Sequence, residues 1–460
     1  CRESYVPFST QTKDSPVTNI TEVTNLLNNF LNESLIEEIA RRTGFLKRLR
    51  AISPCDFLKC EILTSLKEQV NSLRNVKITF HGECSLKVSR TAVSNKFSAA
   101  GVEFFKETTN ALFNHASLTH RFQFAALPGI KHVTVTDSSE IKLADKLEGI
   151  FKGIRNTKSI MKLQTSVDFL QGTLVGLELT SGNCPDQGYK GYLNHVSHDT
   201  LIINDLGYFD NESFSEIDNK GGFFLSRYFR RATLYNAKEK KEDDKINLVQ
   251  ILRKASSSVV DIPIFLGSTQ RFPCRLIALR LSKKEYEKRV LNQKRQRKRD
   301  PRMTQEIPTE LDKWSILVTN LSAEQLSAEM AWEVYACRWQ IELFFKLLKS
   351  ECNLVNFTHQ NPLRTQIEVY IKYIVAWIIM MIVMSITEKE ISLSKAVSVF
   401  RQFGSKLFVK TYDALYFSIK EIVDCLVIHA AKDVRRKRPS SKQKIGWGPA
   451  ENKTGKQKNA

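Results

Sequence analysis

Leu321-Ser-Ala-Glu-Gln-Leu-Ser-Ala-Glu-Met-Ala-Trp-Glu-Val-Tyr335-Ala-Cys-Arg338-Trp-Gln-Ile-Glu342-Leu-Phe-Phe-Lys346-Leu-Leu-Lys349 is the stretch on which the reading turns. It holds neither Gly nor Pro, and Leu, Ala, Glu, Gln and Met favour helix, so one helix is expected. On a wheel of about 100° per residue, Tyr335, Arg338, Glu342, Lys346 and Lys349 share one edge. Val334, Ile341, Phe345 and Leu348 form an apolar stripe beside it. A phenol, a guanidinium, a carboxylate and two ammonium groups thus stand together next to a face that anchors in a core. Taken alone, such an edge also fits an ordinary solvated face. Two aspartates upstream give it another meaning.

His132-Val-Thr-Val-Thr136 is β-branched and is expected to stop at Asp137. Thr200-Leu-Ile-Ile-Asn204 reads as a buried strand ending at Asp205. Neighbouring strands ending there would set the two carboxylates side by side, and Glu342 on a helix packed across the sheet would complete a triad. Three carboxylates in one pocket repel unless cations bridge them. Mg²⁺ takes oxygen ligands and keeps several waters. Two such ions about 4 Å apart can activate a water and stabilise a leaving 3′ oxygen in phosphodiester cleavage. The chain has neither a Gly-rich Walker loop nor a Gly-x-Ser-x-Gly elbow, which removes the usual nucleotide-triphosphate and serine-hydrolase readings.

Around these residues the chain divides into an α/β core with helical flanks. Residues 1–20 are expected to be disordered and 21–125 helical, with one helix starting near Ser34 and ending at Gly44. Ser89-Arg90-Thr-Ala-Val-Ser-Asn-Lys96-Phe97 has the polar, small-residue character of a DNA-recognition helix, with an ordinary amphipathic helix as the equal alternative. Residues 126–230 alternate strands with short helices, including a hairpin from Lys162–Asp168 and Gly172–Thr180. Residues 231–322 form a β-rich insertion, with strands expected at Ile246–Leu252, Val259–Leu266, Phe272–Leu281 and Trp314–Thr319, and a basic arm at 283–302. The core resumes over 323–390, helices follow over 391–431, and 432–460 is a Lys/Arg-rich tail expected to be disordered.

Composition sets the partner. Lys and Arg number 69 against 49 Asp and Glu, a surplus of 20 that calls for a polyanion, most simply nucleic acid. No basic amphipathic helix recommends a membrane. Nine cysteines lack a CxxC pair, consistent with reduced thiols in a cytosolic protein. The first twenty residues carry no signal-peptide core, and the start at Cys1 rather than Met leaves room for residues before it. The longest apolar run, Tyr373 to Ile386, is shorter than the roughly 20 residues a membrane span needs and reads as a buried helix.

Tyr335, two residues, Arg338, three residues, Glu342, six residues, Lys349: this spacing resembles the signature of the insertion-sequence-four family of DDE transposases. Thr-Asp137-Ser and Ile-Ile-Asn-Asp205-Leu-Gly-Tyr resemble the surroundings of that family's two aspartates, and the resemblance covers about residues 30–385. It implies a ribonuclease-H-like mixed sheet interrupted by a β-rich domain, with Asp137, Asp205 and Glu342 binding two Mg²⁺ ions, for which Mn²⁺ substitutes. It implies that Tyr335, Arg338 and Lys349 hold the phosphates of a transposon end, with Lys346 on the same edge. Such enzymes often hold a flipped base on an aromatic. Trp314, Trp332 and Trp339 are the candidates, each with a packing role as alternative. The implied protein is a bacterial, cytoplasmic, nucleoid-associated transposase, dimeric on double-stranded DNA, with Arg90 and Lys96 as further DNA contacts. Two alternatives stay open: an inactive DNA-binding relative, and a stand-alone nuclease of the same fold.

Overall fold

The computed structural model describes residues 20–431 apart from 49–50, 68–71, 116–126, 128, 171–172, 238–244, 269–270, 300–308, 356, 358 and 387–388. The basic tail, residues 1–19 and the end of the 283–302 arm lie outside the described residues. The chain forms two compact units, one of 1–109, 351–353 and 367–435, the other of 110–350, 354–366 and 436–460.

The first unit is helical: α1 (Ile20–Phe30), α2 (Glu33–Arg42), α3 (Pro54–Lys67), α4 (Leu73–Cys84), α5 (Arg90–Ser94) and most of α6 (Ala99–His115). Asn32, not Ser34, caps α2, accepting from the Ser34 and Leu35 amides; an Asx oxygen there satisfies donors the first turn leaves open. The chain then turns at Gly44 with φ +72°, a conformation glycine enters freely. Phe45 stacks on Phe104 at 4.5 Å, and Phe57 packs edge-on against Phe97 and Phe105, so aromatic rings hold these helices together. The helix expected from Ser89 to Phe97 is cut short. Ser89 caps only the five residues of α5, and a turn at Asn95–Ser98 precedes α6.

The second unit is built on one mixed nine-stranded sheet. Its strands are β1 (His132–Lys142), β2 (Ile160–Asp168), β3 (Thr173–Ser181), β4 (Thr200–Asn204), β5 (Phe223–Arg227), β6 (Leu234–Asn236), β7 (Val259–Leu266), β8 (Phe272–Arg280) and β9 (Trp314–Thr319). They lie in the order β3-β2-β1-β4-β5-β9-β8-β7-β6. The run β1-β4-β5 is parallel, and the other pairs are antiparallel. Every residue of β2 and β4 is buried, as expected of strands covered on both faces. α7 (Asn211–Asn219), α8 (Leu248–Lys254), α9 (Lys283–Arg299), α10 (Ala328–Tyr335) and α11 (Trp339–Lys346) complete the unit.

Strands β6–β9 extend the sheet that carries β1, β4 and β5, and share its core. Phe214 stacks on Phe224 at 4.1 Å, and Phe224 meets Phe272 at 5.8 Å. Trp314, Leu276 and Val318 close the same cluster. One local expectation fails here. Ile246–Leu252 is not a strand: Asn247 accepts from the Gln250 amide and starts α8, which buries Leu248 and Leu252 one turn apart. The arm is a helix over Lys283–Arg299. After the sheet, α12 (Pro362–Ser385), α13 (Leu393–Phe403) and α14 (Tyr412–His429) follow. α12 is long and apolar enough to cross a membrane, but 89% of its most apolar window is buried within the protein, so the buried-helix reading accounts for it.

Candidate active site

β1 and β4 run parallel with Thr136 opposite Asn204, and the Asn204 side chain accepts from the Thr136 amide at 3.2 Å. Asp137 on β1 and Asp205, just past the end of β4, come next in the chain. Asp137 does not end β1, as the sequence suggested. β1 continues to Lys142 because residues 137–142 pair antiparallel with β2, whereas β4 stops at Asn204. Asp137 therefore sits where β1 loses its β4 neighbour, and the two aspartates still share one edge of the sheet.

The 321–349 stretch is not one regular helix. Ser327 caps α10, accepting from the Met330 amide, and residues 321–326 form a turn before it. A 3₁₀ turn at Ala336–Arg338 joins α10 to α11, and a π-helical turn covers Leu347–Glu351. Both departures lie at signature basic residues, Arg338 and Lys349, and such insertions in helices recur at functional sites. Val334, Ile341, Phe345 and Leu348 are buried, as their stripe requires.

The result is a charge cluster centred on Arg338. Its guanidinium donates to Glu342 Oε1 at 2.7 Å and to Asp137 Oδ2 at 3.3 Å, and its Nε lies 3.9 Å from Asp205 Oδ1. Burial works to lower the Arg338 pKa, but Asp205, Tyr335, Asp137 and Glu342 together hold it above its ordinary value. Burial is also the largest influence on Asp137, pushing it up to about 6. The Ser138 amide and Arg338 oppose that rise, and the charges of Asp205 and Glu342 add to it. Repulsion from the two neighbouring carboxylates is thus the smaller part of a rise that burial leads.

Tyr335 is buried, and its hydroxyl donates to the Asn204 carbonyl at 3.4 Å. Burial raises its pKa to about 12. A phenol so enclosed braces the end of β4 beside Asp205. Lys346 is exposed. Lys349 is partly buried, which lowers its pKa, against the favourable charge of Glu140. Of the three tryptophans, Trp314 is buried under the Arg280 guanidinium and Trp332 packs on Tyr335, while Trp339 is 58% exposed. Arg90 and Lys96 belong to the helical unit. Arg90 is exposed, and Lys96 sits with its ammonium 4.4 Å from the Phe45 ring centre.

Two neighbours escaped the sequence reading. Asn204 ties β1 to β4 at the edge through its side chain and receives Tyr335 on its carbonyl. Arg227, at the end of β5, lies close enough to influence Tyr335. An Arg at the end of the strand after Asp205 was the available signal.

The donor set, three carboxylates already gathered on one cation, fits hard divalent ions. Among the described residues no group of three or more acidic, His or Cys side chains is placed to hold a metal ion; Arg338 is the cation these three carboxylates meet.

Carboxylates carried by β1, by the residue after β4 and by α11 thus meet at one edge of an α/β sheet. Residues 128–378, more than half the chain and including all three carboxylates, match the Transposase DDE domain family, and the chain belongs to that family. It is 25% identical over 367 residues to the transposase for insertion sequence element IS231C of Bacillus thuringiensis subsp. berliner, covering 76% of this chain and 77% of that protein. It is 23% identical over 423 residues to the transposase for IS231B of the same organism, covering 86% and 87%. It is 22% identical over 412 residues to the transposase for IS1151 of Clostridium perfringens, covering 83% and 86%.

Proposed function

We propose that this transposase cuts DNA at the ends of an insertion sequence and joins those ends to a target, with Asp137, Asp205 and Glu342 as its catalytic carboxylates. The convergence of these three side chains on Arg338 is the observation that carries the reading. A ribonuclease-H-like core is supported by the strand order β3-β2-β1-β4-β5 with β1, β4 and β5 parallel.

Asp137, Asp205 and Glu342 would hold two Mg²⁺ ions, with Mn²⁺ substituting. Bound there, such ions supply an activated water or 3′ hydroxyl and a stabilised leaving oxygen. The chain's own residues do the rest. Arg338 keeps the carboxylates together until DNA arrives, then exchanges them for phosphate oxygens, which suit its planar fork. Lys346 and Lys349, further along the same helix, hold the strand beyond Glu342. Trp339, exposed next to Arg338, offers a face on which a base can stack. Tyr335 fixes the end of β4, and so the position of Asp205. Arg90 and Lys96, with the helical region 21–125, would add contacts to the terminal repeats. The acting form is a homodimer holding two ends on nucleoid DNA.

The test uses duplexes carrying the short inverted repeats that flank the coding region. Asp137→Asn, Asp205→Asn and Glu342→Gln should each abolish end cleavage while leaving gel-shift affinity within a few-fold of wild type. Cleavage undiminished in any of the three removes that residue from the triad.

A further inference from the structure

α9 is an unexplained element. It carries nine Lys and Arg against two Glu. One of those acids is already engaged: Glu285 accepts from the Ser282 amide and hydroxyl while the Ser282 hydroxyl accepts from the Glu285 amide, a capping box that starts the helix.

The helix is pinned along one side. Arg289 donates to the carbonyls of Asp312 (3.0 Å) and Trp314 (2.6 Å) and to the Ser315 hydroxyl (3.0 Å). Gln293 donates to the Asp312 carboxylate at 2.9 Å, which also pairs with Arg230. Tyr286, Val290 and Arg297 are half-buried on that side. On the opposite side Lys284, Lys288, Arg295 and Lys298 are exposed, with exposed Leu291 among them. Their spacing of four, seven and three residues aligns them along one ridge, about 21 Å long at 1.5 Å per residue. Among the described residues no carboxylate pairs with any of the four.

The sheet register fixes where this ridge stands. β4 and β5 are parallel, with Ile203 opposite Leu225; β9 runs against β5 with Leu317 opposite Arg227; and β8 runs against β9 with Arg280 opposite Trp314. The end of β4 bearing Asp205, the end of β5, the start of β9 and the end of β8 therefore open on one edge. α9 leaves β8 at that edge and is fastened to the start of β9. At about 4.8 Å per strand and 3.3 Å per residue, that anchor is roughly 10 Å across the sheet from β4 and, three residues beyond Leu317, roughly 10 Å further along it, about 14 Å in all, still inside the width of a duplex. Arg227 is close enough to influence both Tyr335 at the triad and Arg289 on α9, so positive charge continues between them.

We propose that the outward ridge of α9, formed by Lys284, Lys288, Arg295 and Lys298, is a phosphate-binding track. It holds the duplex whose scissile phosphate lies at Asp137, Asp205 and Glu342, touching backbone and reading no sequence. The inference rests on the transposase reading and adds a DNA-binding surface outside the signature helix. A merely solvating charged face needs neither the rigid fastening nor a place on the carboxylate edge.

The experiment measures Kd for a 40-base-pair duplex carrying the cognate end, by fluorescence anisotropy over a range of KCl. Full-length wild type is compared with K284Q/K288Q/R295Q/K298Q. Each phosphate that the protein ceases to neutralise flattens the slope of log K against log salt by about 0.9. The quadruple variant should neutralise roughly two to four fewer phosphates than wild type, with Kd raised roughly 10- to 100-fold at moderate salt. The thermal midpoint should hold, because all four side chains are exposed; if it falls, K288Q/R295Q gives the same reading with two charges. R289A, which loosens the helix while keeping the four outward charges, should also weaken binding. Wild-type slope and Kd in the quadruple variant, with wild-type protein cleaving its end normally, overturn the track. A wild-type protein that neither binds nor cleaves the end overturns the transposase reading instead.

Discussion

Replacing Arg338 by Met separates the two jobs assigned to it. In the protein its guanidinium meets Glu342 at 2.7 Å, Asp137 at 3.3 Å and Asp205 at 3.9 Å, with the Arg338 side chain only 15% exposed. Breaking a fully buried charge pair costs about 3–5 kcal/mol, and an exposed one about 0.2–1 kcal/mol. This cluster lies between, since Asp205 is 43% and Glu342 34% exposed. In EDTA, Arg338→Met should therefore lose about 1–3 kcal/mol, or roughly 3–8 °C in a unit of this size. The same three carboxylates, freed of their internal cation, should bind Mg²⁺ more tightly. A tenfold tighter Kd adds about 1.4 kcal/mol at saturation, so Mg²⁺ should restore much of the lost stability and raise the variant's midpoint more than the wild type's. Arg338→Lys should recover part of the EDTA stability but not the planar fork on phosphate. Scanning fluorimetry in EDTA and across a Mg²⁺ titration reads both effects. A variant that melts like wild type in EDTA and gains no more from Mg²⁺ refutes the idea that Arg338 holds the triad.

Trp339→Ala should leave thermal stability within about 0.5 kcal/mol, because the ring is exposed, yet slow end cleavage; equal cleavage rates would end its stacking role. His132 pairs with Asp168 through a 2.7 Å hydrogen bond, and that bond raises the imidazole pKa. The stabilisation is complete below the ordinary imidazole value and is lost as pH rises through the raised folded one. The midpoint gap between wild type and His132→Gln should be widest near pH 6 and narrow toward pH 9, about the span over which such an imidazole titrates; a gap that grows with pH contradicts the pairing. Phe224→Ala should cost about 3–5 kcal/mol, and hydrogen exchange should quicken in β7 and β8 as well as β4, because Phe272 leans on the same ring. Unchanged protection in β7 and β8 would show that they fold on their own.

What the sequence made legible follows from physics that acts locally. β4 is buried at every position because both faces are covered, and its end at Asp205 is visible for that reason. The buried stripe of α10 and α11 follows helical spacing. Asp137 was misplaced as a strand end because the continuation to Lys142 depends on β2, a partner distant in sequence that no local pattern announces. Ile246–Leu252 has strand-like side chains, yet one Asn cap decided for helix. Tyr335 and Arg338 looked equivalent on a wheel. Only the fold shows that one is enclosed against Asn204 while the other reaches three carboxylates. The docking of α9 was equally hidden, since a run of Lys and Arg does not announce which side is fastened.

Strand joining tests the central claim most directly. Purified protein is incubated with a linear duplex bearing both element ends and a supercoiled target plasmid, in Mg²⁺ or in EDTA, and target molecules carrying a joined 3′ end are counted. Wild type in Mg²⁺ should give joined product, with none in EDTA and none from Glu342→Gln. Joining that persists in EDTA or in Glu342→Gln, or ends that are cut and released without ever joining, would contradict a transposase acting through Asp137, Asp205 and Glu342.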